Sequence, residues 1–147
     1  MNDNLDAGVS QFIGYNMKRA LTVVQADLAQ VLAEFGLRAV SYSALLVIVR
    51  TPGISQSDLA DVLRIEKSNL VQLIDELANR GLVTREPVPG DRRRHALIPA
   101  KAGIALAEAA TRAVQAHEDR VFAALSMLER ATLVHLLRRV WAMPVRA

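Results

Sequence analysis

The segment Ile54–Gly103 constrains the fold of this chain more than any other. It contains two short helical patterns that meet at a tight turn, and a stretch rich in arginine follows them. Ser55 is a favourable N-cap for the first helix, with Asp58 in the capping-box region. The second helix is predicted over Lys67–Arg80 and stops at Gly81. A helix pair followed by a two-stranded ribbon with a cationic tip predicts a winged helix-turn-helix.

The predicted ribbon has two strands and one connecting loop. Leu82–Glu86 and Ala96–Ile98 are the candidate strands, and Pro87–Asp91 between them is predicted to be a loop because it is rich in proline and glycine. A helix of this size fits a major groove of DNA, and such a ribbon can reach the adjacent minor groove. The pattern therefore favours sequence-specific DNA binding over catalysis.

Three consecutive arginines, Arg92, Arg93 and Arg94, follow the loop. The guanidinium of Arg93 fits the narrow, negatively charged minor groove, and Asp91 can hold it there through a bidentate pair. Arg92 and Arg94 are predicted to meet phosphates. The plainer alternative is a solvated turn, which the preceding helix pair makes the weaker interpretation.

The second helix of the pair has one apolar face, formed by Leu70, Leu73, Ile74 and Leu77. The half of the helix that would enter a groove carries the base-reading candidates Ser68, Asn69 and Gln72. Asparagine or glutamine can pair with adenine, and Val71 can touch a thymine methyl group. Lys67 and Ser68, near the helix start, are also placed for phosphate.

The charge of this helix is a point against strong DNA binding. Between Glu66 and Arg80 the acidic residues outnumber the basic ones, and two of the acidic residues are Asp75 and Glu76. Both lie on later turns, where a helix in the groove already leaves the DNA. An ordinary polar helix surface is therefore the alternative to base reading here.

Long helices are predicted on both sides of this segment. On its N-terminal side, one helix runs from about Leu5 to Phe35 and another covers Ser41–Arg50. Beyond Ala102-Gly103 an alanine-rich helix extends to about Leu125, and a last helix covers Leu128–Met143. These helices carry more apolar surface than one small core can cover, so an interface, most simply a twofold dimer, is expected.

We therefore expect a single domain over residues 1–147 that is mainly α-helical with a small β-hairpin wing. Residues 5–35 and 101–143 are the predicted dimerisation helices, and residues 37–100 are the predicted winged helix-turn-helix lobe. Hydrophobic residues make up 52% of the chain and charged residues 22%, which is typical of a globular protein. The formal net charge of +3 is only weak support for nucleic acid binding.

Several other classes of protein are disfavoured. The N-terminus lacks the basic and apolar regions of a signal peptide, and the longest wholly apolar run, Ala44–Val49, is too short to span a bilayer, so a cytoplasmic protein is expected. The chain has no cysteine, and His95, His117 and His135 are too far apart for a short metal-ligand pattern. No metal site, cofactor or enzymatic activity is predicted, because neither a catalytic histidine-carboxylate motif nor a glycine-rich phosphate loop is present.

The sequence resembles the MarR family of transcriptional regulators over nearly its whole length. The Asp-x-Arg pattern of the wing is the most specific part of the match. The matching residues are Gly36-Leu37, Leu45, Ser55-Gln56-Ser57-Asp58-Leu59-Ala60, Leu77-Ala78-Asn79-Arg80-Gly81-Leu82-Val83, Gly90-Asp91-Arg92-Arg93 and Gly103.

The resemblance implies a homodimer on a pseudo-palindromic operator, usually a repressor. It also implies a small aromatic or anionic effector bound between the dimer helices and the DNA-binding lobe. Two positions depart from the family pattern. Pro99 and Ala100 replace a common Leu-Thr, so the N-cap of the alanine-rich helix is missing. Glu66 is a weaker cap for the helix Lys67–Arg80 than Ser or Asp.

The candidate effector-binding residues are polar groups near the hinge between the two predicted parts. Asn16 and Arg19 interrupt the apolar pattern of the first helix, and Arg38, Tyr42 and His117 can join them. A guanidinium with a phenol and an amide suits a carboxylate or a phenol. The alternatives are surface ion pairs for the arginines and packing roles for Tyr42 and His117.

A second hypothesis comes from a different class of function. The negative charge balance of the helix Lys67–Arg80 also fits a winged-helix adaptor, which would bind another protein through the same helices and have no operator. Such a protein would keep its partner in high salt and would not select between DNA sequences.

Overall fold

The computed structural model describes residues 6–142, with residue 92 described by its backbone only. That part of the chain contains six helices and a small three-stranded antiparallel sheet, which confirms a mainly α-helical fold with a β-hairpin wing. In chain order the elements are α1 (Ile13–Ala33), α2 (Ala39–Arg50), β1 (Ile54–Ser55), α3 (Gln56–Leu63), α4 (Lys67–Asn79), β2 (Val83–Val88), β3 (Asp91–Pro99), α5 (Lys101–Val121) and α6 (Met127–Trp141).

The first helix is shorter than the sequence pattern suggests. It begins at Ile13, after a series of turns, whereas the predicted start at Leu5 lies outside the described residues. The side chain of Asn16 donates to the carbonyl oxygens of Ser10 at 2.6 Å and of Phe12 at 2.9 Å, and these bonds hold the preceding chain in a turn. At its other end α1 stops at Ala33, two residues before the predicted Phe35.

Local hydrogen bonds also explain the starts of two other helices. α2 begins at Ala39 rather than Ser41, because the Ser41 hydroxyl accepts the N–H of Arg38 at 2.8 Å and so caps an earlier start. α6 begins at Met127, one residue before the prediction, because Ser126 and Glu129 form a capping box that the sequence analysis did not identify. The predicted end of α6 at Met143 lies outside the described residues, and α5 ends at Val121 rather than Leu125.

The sheet has the strand order β1-β3-β2, and β1 is a strand that the sequence analysis did not predict. The wing is longer than expected. Because β2 extends to Val88 and β3 begins at Asp91, the predicted loop Pro87–Asp91 shrinks to a turn at Pro89 and Gly90. Proline is tolerated at position 87 because β2 is an edge strand.

The register of the wing is irregular near its tip. Pro87 pairs with His95, but the next residue, Val88, pairs with Asp91. The residues between these two pairs on β3, positions 92–94, therefore have no Cα partner on β2. The shift sets the three arginines apart from the regular ladder.

The core lies where α4 and the base of the wing pack on the neighbouring helices. Its fully buried side chains come from α1 through α5, among them Leu32, Leu45, Leu59, Ile74 and Leu97. α6, in contrast, buries none of its residues. No helix within residues 6–142 is both long enough and apolar enough to cross a membrane.

Gly103 marks the closest approach between α5 and the end of the helix-turn-helix. A Cβ atom at this position would lie 2.1 Å from the carbonyl oxygen of Leu82, which also accepts the N–H of Ala100. A methyl group cannot fit without moving backbone, since real contacts of this kind stay above 3.0 Å. The missing side chain therefore allows α5 to start directly against the wing base.

We expect Gly103→Ala to destabilise the fold by about 1–3 kcal/mol, because the added methyl group overpacks a backbone contact. Urea denaturation of the purified protein measures the change. Gly14→Ala is the matched control, since Gly14 is also helical and an added methyl group there would have nothing within 4 Å of it. That control should be neutral or slightly stabilising. Equal stability of the two variants would contradict the close approach.

Candidate nucleic-acid interface

Helix α4 separates its apolar and polar residues as the sequence predicts. Leu70, Leu73, Ile74 and Leu77 are buried. The candidates for base and phosphate contact are all exposed: Lys67, Ser68, Asn69 and Gln72. Glu66 occupies the N-cap position without a side-chain capping bond. The first N–H groups of α4 therefore remain available as donors at the end of the helix that carries these residues.

The acidic residues of α4 are paired with arginines from other elements. Arg85 on β2 donates to Asp75 at 2.6 Å, and its Nε also donates to Gln56 at 2.9 Å. At the start of α2, Arg38 donates to Glu76 at 2.8 Å. These two cations offset the two carboxylates, so the negative balance of the isolated helix does not describe the folded surface.

Arg80, in contrast, is used inside the fold. Its guanidinium donates to the carbonyl oxygens of Gly36 at 2.7 Å and Phe35 at 3.0 Å. These carbonyls follow the end of α1, where partial negative charge attracts a cation. Arg80 therefore ties the end of α4 to the end of α1, a role that its place in the helix pattern did not indicate.

The turn between α3 and α4 has an unusual residue. Arg64 has a positive φ of 52° and caps the end of α3 in the left-handed region. Its guanidinium lies 5.7 Å from the ring centre of Trp141 on α6, within the range of a cation–π contact. The last described helix thus touches the turn of the helix-turn-helix, a contact between distant residues that no local sequence pattern reveals.

At the wing tip, Asp91 orients the backbone rather than the guanidinium of Arg93. Its Oδ1 accepts the N–H of Arg93 at 3.0 Å, a bond to the backbone where the sequence predicts a pair with the guanidinium. A carboxylate two residues before an N–H readily closes such a local turn. The side chains of Arg93 and Arg94 are exposed, and a weak ion pair of 4.0 Å joins Arg94 to Asp58. The side chain of Arg92 lies outside what the structure describes.

A cleft of about 220 Å³ separates the start of α3 from the wing. It is lined by Ser55, Gln56, Ser57, Arg93, Arg94 and His95. Hydroxyl, amide and guanidinium groups therefore meet on one side of the lobe, and such donors suit an anionic backbone.

The predicted effector residues contact different partners in different parts of the fold. Asn16 bonds to the turn before α1, and Arg19 pairs with Asp6 at 2.7 Å. Arg38 pairs with Glu76, as described above. Asn16 and Arg19 both contact the segment before α1, whereas Arg38 contacts α4, so within residues 6–142 these contacts do not bring the three side chains into one site.

Tyr42 and His117 connect helices. The hydroxyl groups of Tyr42 on α2 and Thr111 on α5 lie 3.0 Å apart. His117 on α5 is buried, and its Nδ1 donates to Asp27 on α1 at 2.6 Å. Both contacts join α5 to another helix, so these two side chains lie at helix junctions.

Asp27 is the centre of a small charged cluster. It accepts hydrogen bonds from His117 and from Arg120. The bond from His117, followed by the bond from Arg120, lowers the pKa of the Asp27 carboxyl below its usual 3.8. The other ring nitrogen of His117, Nε2, is buried without a hydrogen-bond partner among the described residues. No group of three or more His, Cys, Asp or Glu side chains in the described part of the chain could hold a metal ion.

Comparison with known proteins gives consistent results. A family model described as MarR family matches residues 35–94. A putative transcriptional regulatory protein for the hcr operon of Thauera aromatica is 31% identical over 130 residues, which cover 88% of this chain and 78% of that protein.

Two solved structures show the same fold. The transcriptional repressor CouR bound to a 23-mer DNA duplex superposes with a TM-score of 0.87 at 33% identity, covering 92% of this chain and 96% of that one. CouR from Rhodococcus jostii RHA1 bound to p-coumaroyl-CoA has a TM-score of 0.82 at 29% identity, covering 93% and 97% of the two chains.

We expect Asp27→Asn to reduce stability at neutral pH. Because the pKa of Asp27 is lower in the folded protein than in the unfolded chain, its ionised form stabilises the fold above 3.8. This contribution is lost as the pH falls through the lower folded value. The stability difference between the wild type and the variant should therefore persist from neutral pH down to about the unfolded pKa and shrink below it.

Urea denaturation at a series of pH values measures this difference. Asp61→Asn is the control, because Asp61 is an exposed carboxylate on α3 whose side chain accepts no hydrogen bond from the described residues. A constant difference for Asp27→Asn across the whole pH range would contradict a role for its charge.

Proposed function

Because this chain belongs to the MarR family of transcriptional regulators, we propose that it binds a specific DNA operator as a homodimer and represses transcription until an effector releases it. In this proposal α4 reads the major groove, and the wing reaches the adjacent minor groove. Phosphate contacts supply most of the affinity, and contacts to base edges supply the selectivity.

The exposed polar face of α4 is the observation that carries this proposal. Its buried leucine and isoleucine side chains fix the rotation of the helix, so Ser68, Asn69 and Gln72 face outward together. Asparagine and glutamine can form paired hydrogen bonds with adenine in the major groove. Lys67 and Ser68, at the start of the helix, are proposed to bond phosphate with help from the free N–H groups there.

The wing supports the second part of the interface. Arg93 and Arg94 are exposed beside the irregular register, and Asp91 fixes the backbone from which Arg93 projects. We assign Arg93 to the minor groove and Arg92 and Arg94 to phosphates, as the sequence predicts. A narrow minor groove concentrates negative potential and attracts an inserted guanidinium.

Exposed apolar residues support the homodimer. They lie at the start of α1, including its N-cap Phe12, and on α6, and they include Ile13, Leu133, Val140 and Trp141. An open groove of about 830 Å³ between these two helices is lined by apolar residues, with Arg139 as the one charged residue. Such surface is costly to leave in water, and a second copy with the same surface can cover it through a twofold axis. Residues 5–35 and 101–143 are the proposed dimerisation segments.

An effector of aromatic or anionic character is also part of the proposal. The structure of CouR with p-coumaroyl-CoA, a compound both aromatic and anionic, supports this class. Tyr42 and His117, which bridge α5 to α2 and α1, are better placed than Asn16 or Arg19 to sense a ligand between the helices. Binding would favour a spacing of the two lobes that does not fit the operator, which is a shift in population.

The decisive experiment is selection of bound duplexes from a randomised DNA library at near-physiological salt. Recovery of an inverted repeat, with half-sites about one helical turn apart, would support dimeric and sequence-specific binding. Recovery of weak, salt-sensitive and sequence-blind binding alone would refute the operator, and the adaptor hypothesis would take its place.

We expect Arg93→Ala to weaken binding to the selected operator by about 1–3 kcal/mol, because a minor-groove contact is lost. Arg94→Ala is the comparison, and it should weaken binding to the operator and to a random duplex by similar factors, since phosphate contacts carry no sequence information. Fluorescence anisotropy with both duplexes measures the two effects. Unchanged operator affinity in Arg93→Ala would remove the wing from the mechanism.

A further inference from the structure

Arg38 lies at the start of α2, but its side chain reaches the exposed face of α4. Its Nη2 donates to Glu76 Oε2 at 2.8 Å. A cleft of about 300 Å³ lies beside this ion pair, and its lining includes Arg38, Asn69, Gln72 and Glu76. The guanidinium therefore borders the same cleft as two of the candidate base-reading residues.

Helix geometry explains this juxtaposition. Asn69, Gln72 and Glu76 are three and four residues apart, so they form one row along the surface of α4. Glu76 is the member of this row nearest the C-terminal end of α4. By pairing with Glu76, Arg38 is held next to the row without belonging to α4.

The ion pair leaves most of the guanidinium free. The Arg38 side chain is 67% exposed, and that of Glu76 is 58% exposed. A guanidinium has five N–H donors in a planar fork, so it can bond a carboxylate on one edge and a phosphate on another. An exposed pair of this kind contributes little to folding stability, so its effect is chiefly on where the cation lies.

The start of α2 adds partial positive charge beside this cleft. Arg38 and Val40 both line it, and the first turn of a helix carries partial positive charge. The capping bond between the Arg38 N–H and the Ser41 hydroxyl uses main-chain atoms of Arg38 only. The side chain can therefore be changed without removing the cap of α2.

We propose that Arg38 is a DNA-binding residue that contacts a backbone phosphate at the edge of the major groove, with Glu76 holding it beside α4. This assignment moves Arg38 from the candidate effector site to the DNA interface. It rests on the proposed DNA-binding function and adds to it a third element, the start of α2, besides α4 and the wing.

The test uses the dependence of DNA affinity on salt concentration. Each phosphate contact releases counterions, so the loss of one contact makes the plot of log affinity against log salt less steep by about one. Full-length wild type, Arg38→Ala and Arg38→Lys are titrated at several salt concentrations with the selected operator and with a random duplex. Arg50→Ala is the control, because Arg50 is also exposed and belongs to the same helix, but lies at the opposite end of α2, away from this cleft and outside the proposed dimerisation segments.

We expect Arg38→Ala to reduce the slope by about two for a dimer, one unit for each subunit. Its affinity should fall by a similar factor for the operator and for the random duplex, and Arg38→Lys should keep most of the slope because it keeps the charge. Arg50→Ala should match the wild type.

An unchanged slope in Arg38→Ala, with the operator still bound, would overturn the assignment of Arg38 alone. A slope that falls equally in Arg50→Ala would do the same, because it would trace the effect to total charge. Failure of the wild type to select any operator would instead refute the proposed function, so the two failures are distinguishable.

Discussion

The burial of one face of α4 is the constraint on which the candidate DNA interface depends. Leu70, Leu73, Ile74 and Leu77 are all at most 4% exposed, and each buried side chain of this size contributes about 1.5–3 kcal/mol of transfer free energy. A rotation of α4 by even a quarter turn would expose part of this face, so the helix has one favourable orientation. Asn69 and Gln72 consequently face outward in a fixed direction, which a reader of base edges requires.

Electrostatic pairing decides how this surface presents its charge. Asp75 and Glu76 would repel phosphates if they stood alone, but Arg85 and Arg38 lie within hydrogen-bonding distance of them. Both arginines come from other elements than the helix that they reach. The pairing with Glu76 also holds the largely exposed guanidinium of Arg38 beside α4, and a guanidinium can bond a carboxylate and a phosphate together.

The helices outside the lobe connect the proposed dimer interface to the DNA-binding surface. Tyr42 and Thr111 join α2 to α5, Asp27 and His117 join α1 to α5, and the ring of Trp141 on α6 lies against Arg64 in the turn before α4. A change in the packing of the long helices would therefore act on several parts of the lobe. This arrangement suits control by a shift between two lobe spacings.

The sequence by itself determined the order of the helices, the inward face of α4 and the position of the cationic wing, because these follow from local periodicity and turn-forming residues. Only the tertiary structure decided which charges meet. The Asp91 contact to the Arg93 backbone, the pairing of Arg38 with Glu76 and the separation of the effector candidates depend on how the chain folds and packs. Hydrophobic spacing records which side of a helix is buried, but it carries no information on the partner across a contact between distant segments.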